Sequence, residues 1–217
     1  MEILASRALA RSARGTMRPL VARRPVILLD VDDVLADFVG KLLAHYNADH
    51  GTTITPDQLT SWDMTTVCGP QIYDYFAKPG MFGGVDLHPC PGAVESVWRL
   101  ADWCELWAVT SLPPAALAVG AARDRAAWLA RHFPAIRGMV IASKKACVWG
   151  DALIDDRPAN LVGGPWRGIL MDRPHNQDHV GGEPRVHSWA QAERLLTLLF
   201  GLGVRMDGPR GWAGGAR

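Results

Sequence analysis

Long apolar runs are missing from this 217-residue chain. Nothing in it approaches the ~20 uninterrupted apolar residues with which a helix crosses a bilayer. The amino terminus has no apolar stretch ahead of a small-residue cleavage site, so a secreted or membrane-anchored form is not expected. Cysteine is scarce. The four present, Cys68, Cys90, Cys104 and Cys147, show neither CxxC spacing nor the density of a disulfide scaffold, which points to a reducing compartment and away from structural zinc. An excess of one charge is lacking as well. With 23 Lys and Arg against 22 Asp and Glu the chain has no global electrostatic footprint for a nucleic-acid polymer, so any anionic ligand must be handled locally.

What the chain does have is enough apolar material, 48% of residues, to bury one α/β core with a small insertion. Its ends differ from its middle. Residues 1–24 carry Arg7, Arg11, Arg14, Arg18, Arg23 and Arg24 against one acid, Glu2, and read as a basic, unstructured leader. Such composition is also that of an organellar transit peptide. The Gly- and Arg-rich stretch 201–217 reads as a disordered tail.

Between these ends the apolar pattern alternates between the strand and the helix period. Pro25-Val26-Ile27-Leu28-Leu29 has no polar alternation and predicts a strand covered on both faces. Phe38, Leu42, Leu43 and Tyr46 follow at helical spacing, with Gly51 as the stop. Residues 52 to about 90 change character: short polar segments, aromatics and the breakers Pro56, Pro70, Pro79-Gly80 and Gly83-Gly84 predict a small, irregular or helical insertion. The rhythm resumes with a helix opening at Pro91, a strand over Glu105–Thr110 and a helix around Asp124–His132. Short apolar runs at 138–142, 152–154 and 168–171 precede a closing helix capped by Ser188. This succession predicts a parallel, Rossmann-like α/β sheet.

Ligands of such sheets bind beyond the carboxyl ends of the strands. There the chain places Asp30 and Asp32, Thr110 and Ser111, Lys144 and Lys145, and Asp155 and Asp156. Neighbouring carboxylates repel unless something sits between them. A divalent cation such as Mg2+, which takes carboxylate oxygens and keeps waters and phosphate as other ligands, is the simplest remedy.

These residues, read as Asp30-Val31-Asp32-Asp33-Val34, Thr110-Ser111, Lys145 and Asp151 through Asp155-Asp156, resemble the four motifs of haloacid dehalogenase-type phosphohydrolases. Further strings, including Lys78-Pro79-Gly80-Met81-Phe82, Pro91-Gly92-Ala93, Asp172-Arg173-Pro174-His175-Asn176 and His187-Ser188-Trp189, are similar to the 5'(3')-deoxyribonucleotidases over about residues 25–197. The resemblance implies an α/β core of residues 25–40 and 90–200, with a small, mainly helical cap at 41–89 that reads the nucleoside. It implies Asp30 as nucleophile and Asp32 as general acid and base. Thr110, Ser111 and Lys145 would hold phosphate, the lysine being chosen over Lys144 because it lies eleven residues before Asp156. Asp30, the main chain of Asp32, and Asp156 would bind Mg2+, with Asp155 or Asp151 behind them. Phe38, Trp62 and Phe76 match positions lining the base or sugar pocket, whereas most of the nine tryptophans are expected to be packing residues.

The expected substrate is therefore a small phosphate ester, a deoxyribonucleoside monophosphate, with neither nucleic-acid polymer nor membrane as partner; a homodimer is left open. The alternatives are the same chemistry on another ester such as a sugar phosphate, and a non-catalytic nucleotide-binding module. Ala-, Arg- and Gly-rich usage points to a cytoplasmic bacterial protein, or to a mitochondrial one if the leader is a transit peptide. Asp33 stands where the animal enzymes have Gly and adds a negative charge beside the nucleophile.

Overall fold

A computed structural model describes residues 23–201. The expected leader up to residue 22 and the tail from 202 lie outside the described residues. Six strands form one parallel sheet: β1 (Val26–Leu29), β2 (Glu105–Thr110), β3 (Met139–Ile141), β4 (Ala152–Asp155), β5 (Arg167–Met171) and β6 (Arg185–Val186). Their order is β3-β2-β1-β4-β5-β6, so the first strand is central, between β2 and β4. The unalternating apolar run of β1 follows from that position. Ile27 and Leu29 face the larger core, Leu28 the smaller one on the opposite side, and all three are buried. Each such side chain stabilises the fold by ~1.5–3 kcal/mol through burial alone.

The two faces are covered differently. Helices α3 (Ala93–Ala101), α5 (Ala121–His132) and α6 (Trp189–Phe200) put Val97, Leu100, Trp128, Phe133, Trp189 and Leu196 onto the larger core. The opposite face is closed by Trp166 and Leu161 and the irregular segment that carries them. Of the tryptophans, Trp128 and Trp189 are core residues as expected, whereas Trp98 and Trp149 are more than half exposed and pack little.

Helix α1 (Phe38–His50) starts with the Asp37 carboxylate accepting from the Gly40 N–H at 3.1 Å. It ends at Gly51, whose φ of 64° is the left-handed conformation that closes a helix at least cost in glycine. From Gly51 to Gly92 no strand of the sheet occurs, only the helix α2 (Thr65–Cys68) and short 3-10 turns at Pro56–Gln58 and Pro70–Ala77. This insertion leaves and re-enters through a neck. The Asp37 N–H donates to His88 O and the Cys90 N–H to Leu35 O, both at 2.8 Å. The neck therefore closes a few residues before the Lys41 boundary expected from sequence, and all of α1 belongs with the insertion.

A second core, built from Phe38, Leu42, Tyr46, Leu59, Ile72, Tyr75 and Phe82, holds the insertion together and continues into Leu112, Ala116 and Ala121 of the main body. Ala116 lies on the short helix α4 (Pro114–Ala118). At its edge the buried Lys41 ammonium meets Asp86 at 2.8 Å, and His45 meets the other oxygen at 2.8 Å. Burial pushes the Asp86 carboxyl upward, but the hydrogen bonds from Lys41 and His45 outweigh it and hold it at about 2. A carboxyl depressed in the folded state contributes stability that is present above its unfolded value and lost as pH falls through the folded one. The difference in melting temperature between the wild type and Asp86→Asn is therefore expected to be steady just above pH 4 and to vanish toward pH 2. A difference that persists unchanged at pH 2 would mean that the pair contributes nothing.

Candidate active site

The register carries the acids to one edge. Leu29 lies opposite Ala108 on β2 and Ile154 on β4, so Asp30 emerges beside Asp155, and its N–H donates to Ile154 O at 2.9 Å. Lys145, from a 3-10 turn after β3, is fully buried and reaches both carboxylates: Nζ is 2.5 Å from Asp30 Oδ1 and 2.6 Å from Asp155 Oδ2. Lys144 is exposed. Burial alone would lower the Lys145 ammonium, but the charges of Asp30 and Asp155 more than reverse it, and Lys145 is raised and stays charged.

Asp155 has further partners in the Asn160 amide, 3.1 Å from both oxygens, and the Arg157 N–H at 2.9 Å. Its oxygens are committed to anchoring Lys145 and the turn that follows. Asp156 is different: among the described residues its Oδ2 touches only His175 Nε2, at 3.1 Å, while its backbone carbonyl accepts from the Asn176 amide. Burial first, then the neighbouring charges of Asp30 and Asp155, push the Asp156 carboxyl well above its usual range. One oxygen each of Asp30, Asp155 and Asp156 lie within 4.8 Å of one another. Three buried hard-oxygen donors at this separation, two of them with bonding capacity left, fit a small divalent cation.

Asp32 faces the cleft two residues on, and its Oδ1 accepts from Arg125 Nη2 at 2.5 Å. Burial raises the Asp32 carboxyl and Arg125 partly offsets this. Asp33 takes a φ of 56°, the left-handed region in which Asp is among the better tolerated non-glycine residues. Its carboxyl accepts from the Val39 N–H at 3.0 Å, and burial, followed by the charge of Asp156, lifts it well above the ordinary range. The turn thus accommodates Asp33 in a left-handed conformation.

Thr110 and Ser111 end β2 with different commitments. The Ser111 hydroxyl donates to Ala142 O at 2.7 Å, whereas the buried Thr110 Oγ1 has no partner among the described residues. A fully buried hydroxyl without a partner is uncommon, but Thr110 does not line the cleft, whereas Ser111 does.

The cleft above these groups has a volume of about 880 Å3. Its apolar wall is a trio of phenylalanines: Phe38 and Phe82 stack at 4.8 Å, and Phe76 stands edge-on to them at 5.7 and 5.8 Å. Trp62 is half exposed and reaches from the insertion to the main body, with the Arg157 guanidinium 4.5 Å over its ring and His175 edge-on at 5.2 Å. Burial lowers His175, keeping the ring neutral against Trp62.

Asp151 does not belong to this site. It lies one residue before β4, at the opposite edge of the sheet, where both oxygens take the Arg23 guanidinium at 2.6 and 2.7 Å and one accepts from the Val26 N–H. Four residues of strand separate it from Asp155, about 13 Å at ~3.3 Å per residue, so it cannot stand behind the acidic cluster. Arg125, His175, Asn160 and Phe82 are the site groups to which the sequence reading gives no role. Arg125 leaves one legible trace: it lies three residues before the core residue Trp128, on the buried face of its helix.

A parallel sheet whose first strand is followed by two aspartates, the first of them sharing a buried lysine with a second acidic pair, is the build of a haloacid dehalogenase-type hydrolase, a phosphoric monoester hydrolase. The fold matches a haloacid dehalogenase-like hydrolase from Streptococcus pneumoniae (TM-score 0.52, 15% identity, 80% of this chain and 98% of that one). It also matches a predicted phosphatase from Clostridium acetobutylicum (TM-score 0.51, 15% identity, 82% and 100%). The family model described as 5' nucleotidase, deoxy (pyrimidine), cytosolic type C protein matches residues 24–200, and the chain belongs to that family. Among curated proteins it is similar to the mitochondrial 5'(3')-deoxyribonucleotidases of Mus musculus (30% identical over 182 residues, 76% of this chain and 81% of that one) and Homo sapiens (28% over 197 residues, 83% and 85%). It is likewise similar to the 5'(3')-deoxyribonucleotidase of Bacillus subtilis (27% over 184 residues, 80% and 99%).

Proposed function

We propose that the protein is a Mg2+-dependent phosphatase of 5'- or 3'-deoxyribonucleoside monophosphates that works through an aspartyl-phosphate. The observation that carries this reading is Lys145 between Asp30 and Asp155, beneath a cleft whose far wall is aromatic. Asp30 attacks phosphorus, splitting one hard hydrolysis into two displacements. Asp32 gives a proton to the departing alcohol and later takes one from water. Lys145 and the turn at Thr110-Ser111 hold the non-transferring phosphoryl oxygens; Ser111, whose proton is engaged, contributes as an acceptor or through its backbone. Asp30 and Asp156 side chains and the Asp32 carbonyl would hold Mg2+, which when bound offsets phosphate charge.

The phenylalanine wall favours a 2'-deoxy sugar, since a 2'-hydroxyl buried there loses water without gaining a partner. Unpaired thiols at Cys68, Cys90, Cys104 and Cys147, and the absence among the described residues of a helix long and apolar enough to cross a membrane, are compatible with a cytoplasmic setting.

The test is phosphate release from deoxyribo- and ribonucleotides, sugar phosphates and an aryl phosphate, with Mg2+ and with EDTA. Turnover led by a deoxypyrimidine monophosphate and abolished by EDTA is expected; a sugar phosphate at the head of the panel would overturn the substrate assignment. In the same assay Trp62→Ala and Phe76→Ala should each lower kcat/KM for the nucleotide by roughly 5- to 150-fold, the equivalent of ~1–3 kcal/mol of base stacking, and affect the aryl ester far less. Equal losses on both would show that these rings support the fold and do not read the base.

A further inference from the structure

Arg125 is an anomaly of charge. Its side chain is completely buried, and among the described residues its single hydrogen-bonding partner is Asp32; Nε and Nη1 have none. A guanidinium brings five donors, and leaving most of them dry costs several kcal/mol that hydrophobic residues of similar volume would not. Packing does not ask for this residue, because the helix is already anchored one turn on by Trp128, which is fully buried and donates to Leu87 O at 2.8 Å.

The surroundings also crowd the guanidinium. The Phe82 ring lies 5.2 Å from its carbon, close enough for the cation to rest on the ring. The loop that carries Phe82 is drawn against the helix at the residue next to Arg125: a Cβ on Gly83 would come within 2.2 Å of the Asp124 carbonyl, so only glycine allows the approach. A rigid cation thus holds one oxygen of one carboxylate. Asp32 in turn has no other side-chain hydrogen bond among the described residues, and without Arg125 its carboxyl would be free to rotate in the cleft.

We infer that Arg125 is a positioning residue for Asp32: by holding Oδ1 it leaves Oδ2 as the oxygen presented to the leaving group and then to water. This rests on the phosphatase reading above. In the first displacement the bond from Asp30 to phosphorus forms, the ester P–O bond breaks, and the proton on Asp32 Oδ2 passes to the departing oxygen. In the second, water's oxygen bonds to phosphorus, its proton returns to Asp32, and Asp30 is released. The need for that proton grows with the basicity of the leaving group, so Arg125 should matter most for alkyl esters and least for activated aryl esters.

The experiment measures kcat/KM, which reports steps through departure of the alcohol, for nitrophenyl phosphate, phenyl phosphate and a deoxyribonucleoside monophosphate in wild type, Arg125→Met and Arg125→Lys. In Arg125→Met the loss should steepen along that series, about tenfold for the nitrophenyl ester and on the order of a thousandfold for the nucleotide. Arg125→Lys, which keeps the charge and a donor, should recover most of it. The steepness is a ratio within one preparation, so a partly folded variant still gives it. Equal losses along the series, or no rescue by lysine, would reduce Arg125 to a packing residue while leaving the phosphatase reading intact. A wild type that cleaves none of the esters would instead overturn that reading, and this inference with it.

Discussion

Asp30→Asn is expected to abolish phosphate release from every ester, by on the order of 10^4-fold or more, while the protein melts no lower than wild type. The first half follows from the role: an amide oxygen is a poor nucleophile, and removing the attacking group of a covalent mechanism forfeits nearly all of its acceleration. The second half follows from the electrostatics. Asp30 is a cause of the upward displacement of both Asp155 and Asp156, so the metal-free fold carries mutual repulsion that the neutral amide relieves. Activity lost while stability is kept or gained is the signature of a group retained for chemistry at some expense to the fold. The check pairs a phosphate-release assay with thermal melting in EDTA. Wild-type turnover by Asp30→Asn would remove Asp30 from the mechanism, and a large fall in melting temperature would make it a structural residue.

Lys145→Met should lose both. Its ammonium is the sole cation within salt-bridge distance of either Asp30 or Asp155 among the described residues, and all three groups are buried. Removing the one cation of such a set leaves two buried carboxylates uncompensated, typically a cost of about 3–5 kcal/mol. Asp155, already displaced upward by burial and by Asp30, would be displaced further once the lysine is gone. A carboxyl raised in the folded state binds its proton more readily there than in the unfolded chain. Its cost is therefore small near pH 4 and grows as pH rises through the folded value. Urea unfolding midpoints of Lys145→Met should fall further below wild type at pH 8 than at pH 5. A deficit of the same size at both values would point to lost packing by the lysine stem and not to stranded carboxylates.

Strands buried on both faces were the most legible part of the fold, because burial on two sides removes the polar alternation that makes other strands ambiguous. Glu105–Thr110 was bounded to the residue, and Gly51 and Ser188 marked helix ends by their local chemistry. β6 escaped because two residues carry no period, and α5 began three residues earlier than expected because its first turn is alanine, neutral to any pattern. At the cleft, strand ends pointed to the positions of Asp30, Asp32 and Asp156, whereas Thr110 lies buried beneath it. The division of labour between Asp155 and Asp151 was not readable: both are acids near one strand, and only register shows that one meets Lys145 while the other takes Arg23 at the far edge. Arg125 reaches Asp32, and His175 the cleft, through tertiary packing from elements that spacing within their own segments does not connect to it.

The indole N–H of Trp189 donates to the carbonyl of Val34 at 2.8 Å, joining α6 to the turn that follows Asp30 across 155 residues. The strand that leads to Asp30 is the first of the sheet to leave the ribosome, yet it is flanked by strands made about 80 and 125 residues later, and its loop is fastened by an element later still. Contacts of such separation close late. A nascent chain stopped short of Trp189 would hold every acid, the lysine and the aromatic wall, and still lack the tie that sets the loop between them. The setting of that loop thus depends on a residue 155 positions further along the chain.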